Sequence, residues 1–156
     1  MMIRMKRNSK LSILITVVFI MTVASCGDEF CEISDPFFEE RCGVDKPCEV
    51  DLKEVFDFEW DKLYFFGSWS YPDEIEKIIG FDCDCEVVPD GETYVVFTKG
   101  KKIVKEYNTR CYLTFLGGLR NDKNGVVAID ARKTLFDVET RMQGNLPNYY
   151  LTPSNK

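Results

Sequence analysis

Thr93-Tyr94-Val95-Val96-Phe97-Thr98, then Lys99-Gly100-Lys101, then Lys102 to Tyr107, is the stretch on which the fold turns. Two runs rich in β-branched and aromatic residues meet at a glycine-bearing turn, which is the pattern of a β-hairpin. Upstream, Lys62-Leu63-Tyr64-Phe65-Phe66 is a dense β-type run ended by Gly67-Ser68. Between them the spacing predicts one clear helix. Ser70 with Asp73 reads as a capping box, Pro72 suits the first turn, Ile75, Ile78 and Ile79 make one apolar face, and Gly80 is the stop. A helix of about two turns does not persist alone, so it must lie on a sheet.

Downstream, Cys111 to Leu116 reads as a strand closed by Gly117-Gly118, and Asn121 to Gly125 as a turn. Val126 to Ile129 is a strand, Leu135 to Val138 a shorter one, and Tyr149-Tyr150-Leu151 a last edge strand beyond a break at Asn145 to Pro147. Toward the N-terminus, Asp35 and Pro36 suit the start of a short helical turn over Phe37 to Cys42, stopped by Gly43. Cys48 to Leu52 alternates as a strand does, whereas Leu52, Val55, Phe56 and Trp60 also fit helical spacing. The expected fold class is α+β: a small antiparallel sheet of hairpins in a meander, one short helix packed on one face, stapled by disulfides.

The first 25 residues are of a different kind. Arg4, Lys6, Arg7 and Lys10 precede the apolar run Leu11 to Val23, which falls short of the roughly 20 apolar residues of a membrane span. A charged start, a short apolar segment and small residues at its end describe a secretory signal. Val23-Ala24-Ser25-Cys26 resembles the lipobox of bacterial lipoproteins, a branched apolar residue and two small ones before a cysteine. The resemblance implies that the Cys26 thiol takes a diacylglycerol, that the chain is cut before Cys26, and that the new amine is acylated. Gly27, rather than an aspartate, follows the cysteine. By the same resemblance this implies delivery to the outer membrane, on its periplasmic face or at the cell surface, with Asp28-Glu29 similar to the acidic stretch of some surface lipoproteins. The organisation read is therefore a signal over 1–25, a lipidated cysteine and brief tether over 26–34, and one α+β domain over 35–156.

All 26 acidic residues lie after Cys26 and 16 of the 20 basic ones remain there, so the mature chain carries a net charge of −10. Nucleic acid is excluded as a partner, because phosphate binding needs clustered Lys and Arg. The partners expected are the membrane, through the N-terminal lipid, and a basic protein. Of seven cysteines, six remain beside Cys26: Cys31, Cys42, Cys48, Cys83, Cys85 and Cys111. An even number in an exported chain reads as a disulfide framework. Cys83 and Cys85 are expected to have separate partners, one of them Cys111, with a local staple among Cys31, Cys42 and Cys48. A zinc site built on Cys83-Asp84-Cys85 lacks the usual two-residue spacing.

The chain has no histidine, which removes the Ser-His-Asp and Cys-His nucleophile systems and the commonest zinc ligand. Catalysis would fall to a carboxylate pair. Asp82, Asp84 and Glu86 alternate along a loop with Asp90 near, an oxygen-rich set that suits calcium but lacks the glycine placement of an EF-hand loop. Trp60, Trp69, Tyr71, Tyr149 and Tyr150 are the aromatics available for a binding surface, and Trp69 and Tyr71, flanking the turn into the helix, are the candidate patch. Phe58 to Phe66 followed by the Ile-rich helix to Gly80 resembles a pattern of small bacterial envelope proteins without an assigned activity, which implies a shared fold only. The function expected is a non-enzymatic, lipid-anchored binding or inhibitor-like module with no cofactor. The alternatives are a carboxylate-based hydrolase of cell-wall or glycan material, or a structural lipoprotein without a discrete ligand.

Overall fold

A computed structural model describes residues 28–111, 113–117, 120–121 and 125–154. The signal and Cys26 lie outside the described residues. The fold is α+β and disulfide-stapled, with two sheets where one meander was expected. The central strand is β2 (Lys62–Phe66). It pairs antiparallel with β3 (Thr93–Lys99) on one side and β7 (Val126–Asp130) on the other. β4 (Lys102–Thr109) and the two-residue β6 (Arg120–Asn121) complete the order β4-β3-β2-β7-β6. The β3–β4 turn has Gly100 at φ 58° as its first central residue, a conformation that an L side chain resists.

β2 shows no polar alternation because both faces of this sheet are covered. Leu63 and Phe65 share one face with Val95, Phe97, Val127 and Ile129 in the main core. Tyr64 and Phe66 share the other with Tyr94, Val96 and Val126, closed by Ile75 of the helix α3 (Pro72–Ile79). That helix ends as expected at Gly80, which is left-handed at φ 87°. Its start differs: Ser70 bonds back to the Gly67 carbonyl, and the Tyr71 N–H donates to the Glu74 carboxylate at 3.4 Å.

The second sheet has the order β1-β8-β9-β5, built from β1 (Cys48–Asp51), β8 (Leu135–Gln143), β9 (Leu146–Pro153) and β5 (Leu113–Phe115). Tyr149 to Leu151 are therefore not an edge: β9 lies between β8 and β5, and β5 runs parallel to it. Val50, Phe136, Val138 and Leu151 face the same core as the first sheet. The ambiguous region after Cys48 resolves into both readings, a strand followed by the one-turn helix α2 (Leu52–Val55).

The N-terminal helix departs furthest from the expected boundaries. α1 runs Glu29–Arg41 with Pro36 in its interior and Asp28 as N-cap, the Asp28 side chain accepting from the Cys31 N–H. Residues 29–34 are thus part of the folded body and not a tether. Pro36 has no N–H and costs the helix a bond, but burial on both sides of it holds the turn: Phe30 and Phe38 are at most 1% exposed. Phe30 packs its ring against Phe56, Phe65 and Tyr107, and Phe38 stacks on Tyr149 at 4.8 Å, so the helix spans both sheets.

Three disulfides brace this arrangement. Cys31–Cys111 ties α1 to the segment between β4 and β5, and Cys42–Cys48 ties the end of α1 to β1. The third corrects the expectation that Cys83 and Cys85 would take separate partners: they bond to each other, with Cα atoms 5.2 Å apart. The other four cysteines are satisfied around the main core, whereas Cys83 and Cys85 pack together against the separate cluster under α3.

Candidate functional site

The segment joining β2 to α3 is a tight loop, Gly67 to Tyr71, held from a second segment, Val88 to Glu92. Ser68 Oγ accepts from the Gly91 N–H at 3.0 Å and donates to the Glu92 carbonyl at 3.2 Å. The Trp69 N–H donates to the Val88 carbonyl at 2.9 Å, and the Val88 N–H returns to the Ser70 carbonyl at 3.1 Å. Inside the loop, Ser70 N–H and Oγ both donate to the Gly67 carbonyl. These bonds force Trp69 to φ 67°. A bulky residue in that left-handed region costs roughly 1–2 kcal/mol and persists only where its surroundings over-determine it.

Trp69 is 58% exposed and Tyr71 51%. The other candidate aromatics are elsewhere. Trp60 and Tyr149 are buried in the main core, and Tyr150 is half-buried with the Arg141 guanidinium 4.5 Å from its ring centre. The five aromatics therefore separate into three structural ones and one fixed, solvent-facing pair.

The Asp82-Cys83-Asp84-Cys85-Glu86 segment alternates, with its cysteines half-buried and its three acids exposed. Among the described residues, the set of three metal-ligand side chains whose atoms converge within 4.8 Å is Asp28, Cys31 and Cys111, where both sulfurs are in a disulfide. Asp82, Asp84 and Glu86 do not converge in this way, so the calcium geometry is not formed. One open cleft of about 430 Å³ does gather Asp57, Glu59 and Asp61. Lys99 pairs with Glu59 and holds its carboxyl below the usual range, while Asp61 accepts the Gly100 N–H at 2.7 Å. The ion pair favours the charged form of Glu59.

Asp35 is the carboxyl pushed the other way: burial raises it, with the charges of Glu39 and Asp28 adding to the effect. A carboxyl raised by folding holds its proton more tightly in the native state than in the unfolded one. Stability then falls as pH climbs from the unfolded value through the native one. Asp35→Asn is expected to raise the melting temperature at pH 7, with the gain vanishing below about pH 3, where both states are protonated. Melting curves across that range check it.

Neither feature of the loop is visible in composition or spacing. The Gly67-Ser68 pair marks a turn, but the conformation of Trp69 is imposed by residues about 20 positions further on. A smaller, half-open cavity of about 300 Å³, walled by Phe30, Phe65 and Phe115 with Thr93, Thr109 and Thr114, lies next to Gly67. It presents hydroxyls but no ionised group. Among the described residues no helix is long and apolar enough to cross a membrane. Compared with protein-family models, with curated proteins and with solved structures, the chain gives no match to any of the three.

Proposed function

We propose that this protein is a lipid-anchored envelope module that binds and does not catalyse, with the Gly67–Tyr71 loop as its contact surface. The observation that carries the reading is Trp69: a large aromatic held out in solvent, in a strained backbone conformation, by bonds from a neighbouring segment. A packing role explains neither the exposure nor the strain. A contact residue fixed in advance loses little freedom on binding. The mature charge of −10 and the exposed row Asp82, Asp84 and Glu86 favour a basic protein on the adjoining flank.

Anchoring rests on the lipobox resemblance at Cys26. Cys26→Ser is expected to leave the body folded and to abolish both signal cleavage and membrane retention; recovery of a processed, membrane-bound form from that variant refutes it. Contact through the loop is tested by crosslinking in the native membrane fraction. Trp69→Gly relieves the backbone and removes little buried area, so it is expected to leave the protein as stable or more stable, by up to about 1 kcal/mol. The same variant is expected to lose the crosslinked species. Crosslinks that survive Trp69→Gly unchanged remove the loop from the reading.

A further inference from the structure

We propose that the surface met by this loop is the bilayer itself, with Trp69 and Tyr71 seated in the headgroup layer of the membrane that holds the Cys26 anchor. The proposal rests on the lipidation and loop readings above.

Position carries it first. Asp28 is pinned to the end of β4, its carboxylate accepting from Thr109 Oγ1 and from the Arg110 N–H, each at 2.8 Å. Cys26 precedes it by two residues, so the attachment point lies within about 7 Å of Asp28. Arg110 in turn pairs with Glu92 at 2.8 Å, and the Glu92 carbonyl accepts from Ser68, the neighbour of Trp69. Anchor and aromatic pair therefore share one end of the first sheet. A body tied to a membrane within a few ångströms of that end presents it to the headgroups.

The chemistry of the pair agrees with the place. Trp and Tyr have apolar bodies and a polar tip, and they concentrate at membrane–water interfaces for that reason. Charge selects the kind of bilayer. Asp82 and Asp84 line a groove with Lys101 and Lys102, and Glu86 follows Cys85, whose sulfur is 3.8 Å from the Tyr94 hydroxyl near the loop end of β3. Asp73 and Asp90 are exposed beside the loop, so the interface that suits it is zwitterionic.

The protein contains two tryptophans, and Trp60 is 5% exposed, which makes Trp69 its own reporter. The mature lipidated protein is reconstituted in phosphatidylcholine vesicles, plain or brominated near the glycerol end of the acyl chains. Blue-shifted emission, quenched by the brominated lipid and lost in Trp69→Phe, is the expected result. Added phosphatidylglycerol should weaken the quenching and added salt restore it. Equal emission in plain and brominated vesicles overturns the proposal, as does shielding of Trp69 that appears only when a protein partner is added. A mass spectrum of the same sample separates the two levels: residue 26 without acyl mass defeats the anchoring reading itself, whereas acylated protein with unquenched Trp69 defeats only this inference.

Discussion

Replacing Cys31 and Cys111 together by serine is expected to lower stability by about 4–5 kcal/mol, the largest loss among the three disulfides. The bond closes 80 residues of chain, and the freedom that a crosslink removes from the unfolded chain grows with the logarithm of loop length. The same relation gives about 2 kcal/mol for Cys42–Cys48, six residues apart, and about 1.5 kcal/mol for Cys83–Cys85, two apart. Native geometry points the same way. Cys31 sits in the first turn of α1, directly after the buried Phe30 and three residues from the Asp28 cap, so the bond holds the helix end that follows the anchor against β4. Denaturant unfolding of the three double-serine variants checks the order. A Cys31/Cys111 loss no larger than the Cys83/Cys85 loss refutes it.

The parts legible in the sequence are those whose signal is local. β2, β3 and the helix α3 were readable because a strand buried on both faces is a continuous apolar run, and Pro72 and Gly80 mark the helix ends. β8 runs five residues past its expected end at Val138. The charged Glu139 and Arg141 that follow are poor strand formers by type, but they occupy the solvent face and pair with each other. The internal position of β9 and its parallel pairing with β5 depend on contacts between segments more than 30 residues apart, which no local pattern carries. The disulfide pairing failed for a related reason. A separation of two residues argues against Cys83–Cys85 only while other thiols are in reach, and the other four lie around a different core. The candidate site was half legible. Trp69 and Tyr71 stood out by place in the chain, whereas the strained backbone that gives them meaning is a product of the Val88–Glu92 segment.

Phe97→Ala is expected to cost about 4 kcal/mol, within the range of about 3–5 for deleting a fully buried ring. The ring is 0% exposed and meets four others: Phe56 and Phe58 at 4.9 Å, Trp60 at 5.6 Å and Tyr107 at 6.2 Å. Three of these come from the turn between β1 and β2 and one from β4, so a void at Phe97 loosens elements that no disulfide ties together. Phe97 is also where the β3–β4 register shifts: it pairs with Lys105 and Thr98 with Ile103, leaving Val104 as the extra, 42% exposed residue. A bulge turns the strand there and blunts an edge that would otherwise offer free backbone groups. The rings around Phe97 hold the inner side of that bend. Val104→Ala, on its exposed side, is expected to change stability by less than about 0.5 kcal/mol. Denaturant unfolding of the two variants reads the contrast directly, and a Phe97→Ala loss below about 1.5 kcal/mol would mean that the ring cluster collapses to fill the void, leaving the disulfides and the second sheet to hold the domain.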